Sequence, residues 1–445
     1  MRRASIRYLA GGALVAVSLA ACGGGSSGGN AGGSSGGGGA KGDTTGVTAS
    51  QITIGSTQPL TGPAAAGYSE IAPAAKAMFD YINAQGGING RKIVFKYVDD
   101  GYNPTQTVTQ TQKLILQDKV FAIFDALGTP THEKVIDFLN QQKVPDVFVA
   151  SGCGCWDDPV KHPYTTGWQP DYTVEGKVLG AYVKKAFAGK KVAYFSQAGD
   201  VGVYGNKGLD AELPANMVVT KQSYQAGNLN ISSQVGAIAA KKADVVVCFC
   251  IPAYTALLRL NMLKAGYNAQ LVVSNIGSDP TTLTGLLEAF AKQGGAKVKG
   301  SQLIEGMITD GYLPPWTDTS NPWIQLFKKV HDQYDAKAPL DGNVEYGLAT
   351  GWTFANLVAK AGKNLTRQSL IAALKQGLSP GPGLVPFRYS STSNAGYTGA
   401  QIGVIKSGAI VLQGQPQTTD DGNGPVTAAT AQQTQPPANG VPTGS

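Results

Sequence analysis

The sequence predicts an α/β protein made of two doubly wound parallel-sheet lobes, with a hinge and an interlobe cleft. Three observations predict it. Short apolar runs alternate with segments of helical period from residue 52 to about residue 412. The links between them are short, and a strand–helix–strand succession requires crossovers and hence parallel strands. The alternation breaks once, at the long run SGCGCWDDPVKHPYTTGWQPDY (151–172), and then resumes, which divides the chain into two lobes.

The first unit spans 52–104. A strand at 52–56 leads into a Thr-, Gly- and Pro-rich turn at 59–67. The following helix places Ile71, Ala74, Ala75, Met78 and Ile82 on one face. Gly86-Gly87 stops it, Asn89-Gly90 turns the chain, and a strand at 92–98 ends in Asp99-Asp100. Helices are expected at 105–117 and 131–142, and strands at 120–124 and 146–150. Beyond the break, strands are expected at 191–196, 217–224, 244–250 and 271–274. Helices at 172–187, 204–214, 231–240, 254–265 and 281–292 alternate with them. A strand at 303–309 precedes helices at 323–335, 344–361 and 367–376. Short strands at 386–389, 401–405 and 409–412 close the ordered part. Residues 413–445 are rich in Gly, Pro, Thr, Gln and Ala and are expected to be a disordered tail.

The 445 residues suffice for two lobes with large cores. Residues 1–21 read as a leader. Arg2, Arg3 and Arg7 precede an apolar run of about a dozen residues, shorter than a membrane span of ~20. Leu19-Ala20-Ala21-Cys22 resembles a bacterial lipobox, which implies lipid on Cys22. Residues 22–50, mostly Gly, Ser and Ala, read as a flexible tether. Loss of the three leader arginines lowers the net charge from +7 to +4. That mild charge, with no basic stripe interleaved with aromatics, argues against nucleic acid as a partner. No other apolar run approaches membrane-spanning length.

The phrases IGSTQPLTGPAAAGYSE and INAQGGINGRKIVFKYVDDGYNP resemble the start of type I periplasmic binding proteins of the branched-chain amino acid (Leu/Ile/Val) kind. These are substrate-receiving subunits of bacterial ABC importers. The resemblance implies three crossings between lobes, with 51–170 plus 302–385 as lobe 1 and 171–301 plus 386–412 as lobe 2. It implies a monomer that captures a small carboxylate- or amide-type, amino-acid-like solute by hinge closure and docks on an ABC permease. A sensor subunit of the same fold, signalling to a membrane partner, is the alternative.

In open α/β sheets, ligands sit outside the carboxyl ends of the strands. Two loops there, Leu127-Gly128-Thr129 and Ser151-Gly152-Cys153, match by order the family loops that hold a ligand carboxylate; ordinary turns are the bland alternative. Trp168 and Gln169 fall at the first crossing, as a ligand cover or as hinge packing. By the same resemblance Tyr204 faces the ligand, while Asp200 either joins it or caps a helix. Asn275 stands where amino-acid-binding relatives carry an acid for the ligand ammonium. A buried ammonium needs a counter-charge, so the neutral amide argues against an α-amino acid, unless Asp279 substitutes.

Cys153, Cys155, Cys248 and Cys250 form two C-x-C pairs. Extended Cys248 and Cys250 lie about 7 Å apart, too far for easy bridging, and Cys153–Cys155 is strained. Small buried residues, with at most one local disulfide, are favoured over a four-thiolate metal site, so neither metal nor cofactor is expected. His132, His162 and His331 lack metal spacing, and there is no GxSxG or Walker motif. Asp99-Asp100 reads as solvated or capping and Glu345-Tyr346 as structural. No catalytic set emerges, and an enzyme is not expected.

Overall fold

The structure is a computed structural model that describes residues 42–430 and 433–444. The leader, Cys22 and the Gly/Ser run to residue 41 lie outside the described residues. Five parallel strands make the first sheet: β1 (Gln51–Gln58), β2 (Lys92–Asp99), β3 (Ile123–Phe124), β4 (Asp146–Val149) and β5 (Thr165–Gly167), in the order β2-β1-β3-β4-β5. The second sheet has parallel β6 (Val192–Gln197), β7 (Val218–Tyr224), β8 (Val245–Phe249), β9 (Gln270–Val273) and β10 (Ile308–Gly311). Antiparallel β11 (Gly399–Lys406), β12 (Ala409–Leu412), β13 (Gln417–Thr418) and β14 (Thr427–Ala428) extend it, in the order β14-β13-β11-β10-β9-β8-β6-β7 with β12 on β11. Strand order reverses beside β1 in one sheet and beside β6 in the other, which sets where a cleft can form.

Local chemistry fixes the elements that frame the cleft. Helix Ile71–Ala84 buries Ile71, Ala74, Ala75, Met78 and Ile82. Gly86 and Gly87, both left-handed, follow its end. Asn103 caps helix Pro104–Leu116, with proline at its first position. Asp171 caps helix Tyr172–Ala186 by accepting from the N–H groups of Thr173 and Val174.

The chain passes between lobes after β5, after β10 and again before β11. Helices Pro322–Tyr334, Gly342–Ala361 and Arg367–Lys375 lie on the first lobe. Helix Gly342–Ala361 sits so close to helix Ile71–Ala84 that a Cβ on Gly347 would come within 2.2 Å of the Ile71 carbonyl oxygen.

Five features differ from expectation. Residues 308–311 pair with β9, so the start of the 302–385 segment belongs to the second lobe. Gly306, with φ of +77°, breaks the expected 303–309 strand, which starts later at Ile308. The expected strand at 386–389 is reduced to one bridge, Phe387 to Tyr397, since Pro386 has no N–H to donate. Within the expected tether, Asp43 pairs with Arg367 at 2.8 Å, and the Gly46 carbonyl accepts from Thr53 N–H.

The fifth is the tail. It lacks large apolar residues, but it satisfies buried polar groups of the body instead. Lys177 is 1% exposed, and its Nζ donates to the carbonyls of Asp420, Gly422 and Gly424 and to the Asp420 carboxylate. Further on, the indole N–H of Trp352 donates to Gly440 O and the Tyr81 hydroxyl to Asn439 O. The residues after 412 therefore run first along the second lobe and then along the first.

Candidate functional site

On the first lobe, the ends of β3 and β4 bring two hydroxyls together. Thr129 Oγ1 lies 2.6 Å from Ser151 Oγ, and the Tyr172 hydroxyl stands 3.5 Å from Thr129 Oγ1. Glycine makes this approach sterically allowed. A Cβ on Gly152 would lie 2.6 Å from the Tyr172 ring, and one on Gly128 would lie 2.6 Å from the Tyr102 ring.

The second lobe presents carboxylates. Asn275 follows β9, and both its backbone N–H and its side-chain amide donate to Glu175 Oε1 at 2.8 Å. The same two groups also donate to Asp310, at 3.1 and 3.3 Å. Burial, and then the neighbouring Asp310 charge, push Glu175 well above the usual carboxylate range; burial pushes Asp310 to about 6. Asp279 caps helix Pro280–Gln293 through Thr282 N–H and accepts from Gly342 N–H of the first lobe at 3.0 Å. Glu345, one turn into helix Gly342–Ala361, is raised well above its usual range by burial and by the Asp279 and Asp341 charges.

The lobes touch across the cleft. Gln197 Nε2 donates to the Tyr102 hydroxyl at 3.1 Å, Asn343 Nδ2 donates to Thr282 Oγ1 at 3.1 Å, and the Tyr68 hydroxyl donates to Ile276 O. Between them lies a cavity of about 1120 Å³, counting the space that opens to solvent.

This geometry has counterparts in known proteins. The profile of a family described as periplasmic binding protein matches residues 51–409. The chain belongs to that family. A Leu/Ile/Val-binding protein homolog 3 of Brucella melitensis is 30% identical over 239 residues, 52% of this chain and 63% of that protein. BraC3, a Leu/Ile/Val-binding protein of Rhizobium johnstonii, is also 30% identical, over 44% of this chain and 54% of its own. The matched segment thus spans under two thirds of either relative. Among solved structures, a fatty acid ABC transporter substrate-binding protein from Thermomonospora curvata has a TM-score of 0.71 at 20% identity, covering 85% of this chain and 95% of its own. A branched-chain amino acid ABC transporter protein from Thermus thermophilus with bound valine has a TM-score of 0.70 at 18% identity, covering 84% and 98%. At these identities the structures share the fold.

In this periplasmic binding protein, Leu127, Gly128, Thr129, Gln169 and Asn275 line the cavity. Ser151 stands behind Thr129, and Gly152 serves to admit Tyr172. Trp168 is fully buried as hinge packing, with ring centroids 5.0 Å from Tyr346 and 5.8 Å from Tyr312, so it backs the cavity wall. Tyr204 turns onto Gly154 and stands with Cys153 beside Trp156, away from the lining. Asp200 opens its helix after Gly199, which holds the cap position.

Both C-x-C pairs are disulfides, with Cα–Cα of 5.1 Å for Cys153–Cys155 and 5.4 Å for Cys248–Cys250. The second corrects the expected separation: β8 ends at Phe249, so Cys250 leaves the pleat and comes within bridging range. Glu133, Cys153, Cys155 and Asp200 place potential ligand atoms within 4.8 Å of one another, but sulfurs bonded to each other are not thiolate ligands. His132 and His162 pair with Asp146 and Asp137, and His331 contacts Ala338 O; among the described residues no histidine lines the cavity.

Sequence reasoning missed Asp310 and read Glu345 as structural; both line the cavity. A signal existed. From Val344 to Val358 every residue of this helix is buried and Glu345 is the one acid among them, and acids in such surroundings are rarely without purpose.

Proposed function

We propose that this periplasmic binding protein captures a small, amino-acid-like solute outside the cytoplasm and delivers it to an ABC importer, held to the membrane by lipid on Cys22. The observation that supports this reading is the cavity between the lobes. Its walls come from loops at the carboxyl ends of both sheets, and hydrogen bonds such as Gln197–Tyr102, Asn343–Thr282, Tyr68–Ile276 and Gly342–Asp279 bridge the lobes around it. A solute that touches both walls favours the closed form over the open one, and closure gives a permease a distinct surface to read. On this reading Thr129 and Tyr172 offer hydroxyls to a ligand oxygen, Ser151 holds the Thr129 hydroxyl from behind, and Leu127, Gln169 and Asn275 contact the rest. The chemistry is capture and release, without a bond being made or broken in the solute.

Gentle purification, denaturation and mass spectrometry of the released small molecules should identify one solute at near-stoichiometric amount. Deleting the protein should then lower uptake of that solute, and labelling with a radioactive fatty acid should require Cys22. Unchanged uptake in the deletion strain would refute the transport role.

A further inference from the structure

The cavity is one-sided in charge. Asp279, Asp310 and Glu345 line it, and among the described residues its lining contains no Lys, Arg or His. Glu175 stands directly behind Asp310, joined through Asn275. Asp279 and Asp310 each already accept two protein N–H groups. Glu345 differs. It is 5% exposed, and its Oε1 has no hydrogen-bond partner. A buried carboxylate oxygen without a donor is costly, and a ligand that supplies one relieves that cost.

Aromatic side chains share the rest of the wall with aliphatic ones. Tyr68, Tyr102, Tyr172, Tyr312, Tyr346 and Trp316 all border the same space. Aromatic faces carry negative electrostatic potential and attract cations, most strongly where water is excluded. An anionic ligand would meet three acidic groups and, among the described residues, no protein cation. A ligand cation would meet acidic groups and aromatic rings together.

We propose that the cavity binds an organic cation: a solute whose protonated amine or quaternary ammonium nitrogen sits between Glu345, Asp279, Asp310 and the aromatic wall. The proposal rests on the solute-capture reading and narrows its substrate class. It also supplies what position 275 lacks, since the counter-charge comes from Asp310 and Glu345 on other elements. The nitrogen is the determinant, and a ligand carboxylate is dispensable.

The test uses the full processed protein and matched probes in calorimetry. Phenethylamine is compared with hydrocinnamate and phenethyl alcohol, and choline with its uncharged isostere, neohexyl alcohol. At least one cation should bind, at least about tenfold tighter than its uncharged or anionic counterparts. Glu345→Gln should weaken that cation by about tenfold and leave phenethyl alcohol unaffected. Asp310→Asn provides a second variant should the first fold poorly, as judged by its circular dichroism melt. Equal or tighter binding of the carboxylate or alcohols overturns the proposal and leaves solute capture standing. So does a co-purified solute without a basic nitrogen. Failure of both cations to bind, or an unchanged cation affinity in both variants, also overturns it. Only unchanged uptake in the deletion strain would count against capture itself.

Discussion

Buried carboxylates give the residue scale its most direct consequence. Burial pushes Asp310 to about 6 and Asp341 to about 7, and pushes Glu175 and Glu345 well above the usual range. In the unfolded chain such groups ionise near pH 4. The folded protein thus holds protons that the unfolded chain releases. The stability these groups contribute is fully present below about pH 4 and is lost as pH rises through the folded values. Asp99, Asp118 and Asp420 shift the opposite way, but they are solvent-exposed and their weight is small. The ligand-free protein is expected to melt at a higher temperature near pH 5 than near pH 8, and Asp341→Asn should reduce the difference. A melting temperature that climbs steadily to pH 8 would contradict this. At the other wall, Thr129→Val removes one hydroxyl of the Thr129–Ser151 pair. It should weaken solute binding by about 1 kcal/mol with little change in melting.

Packing between elements depends on residues that the sequence marks only partly. Gly347 and Gly351 let helix Gly342–Ala361 lie directly on helix Ile71–Ala84. Gly347→Ala is expected to destabilise the fold by about 1–3 kcal/mol, since its methyl group would meet backbone rather than a movable side chain. Urea titration measures it, and a change below a few tenths of a kcal/mol would contradict the close approach. Helix Ile71–Ala84 itself was legible because its apolar spacing and its Gly-Gly stop are local signals. Membership of β10 in the second sheet was not, because neighbours in a parallel sheet come from distant sequence. The same limit hid the cavity's acids. Leu127, Gly128 and Thr129 sit in a glycine loop after a strand, a pattern visible in one dimension. Asp310 and Glu345 meet only after the chain has crossed between lobes twice. Trp168 shows the limit from the other side: its loop left ligand cover and hinge packing equally open, and the partners that pack it, Tyr312, Tyr346 and Tyr397, come from far along the chain.

At the scale of the whole molecule, the residues after 412 act on both lobes. Composition alone suggested disorder, since so few of them are apolar, but the chain there binds through its own carbonyls. Lys177 gathers three of them and one carboxylate. Lys177→Ala should destabilise the protein by on the order of 3 kcal/mol and make the tail markedly easier to cleave in limited proteolysis. Equal protection of the tail in both proteins would show that the lysine does not anchor it. Tyr102→Phe acts between the lobes. It removes the hydroxyl that accepts from Gln197, and so should raise the ligand-free radius of gyration in solution scattering by favouring the open form.

The path of the tail also has a practical optical use. Strands β11 to β14 belong to the second sheet, yet Gly444 N–H donates to Asn356 Oδ1 on a first-lobe helix. A dye joined directly after Gly444 therefore travels with the lobe opposite the strands just before it. Paired with a second dye on Lys241→Cys, at the exposed end of helix Ser232–Ala240 in the second lobe, it forms an energy-transfer pair whose efficiency tracks closure. Only one engineered cysteine is needed, and no residue of the cavity is touched.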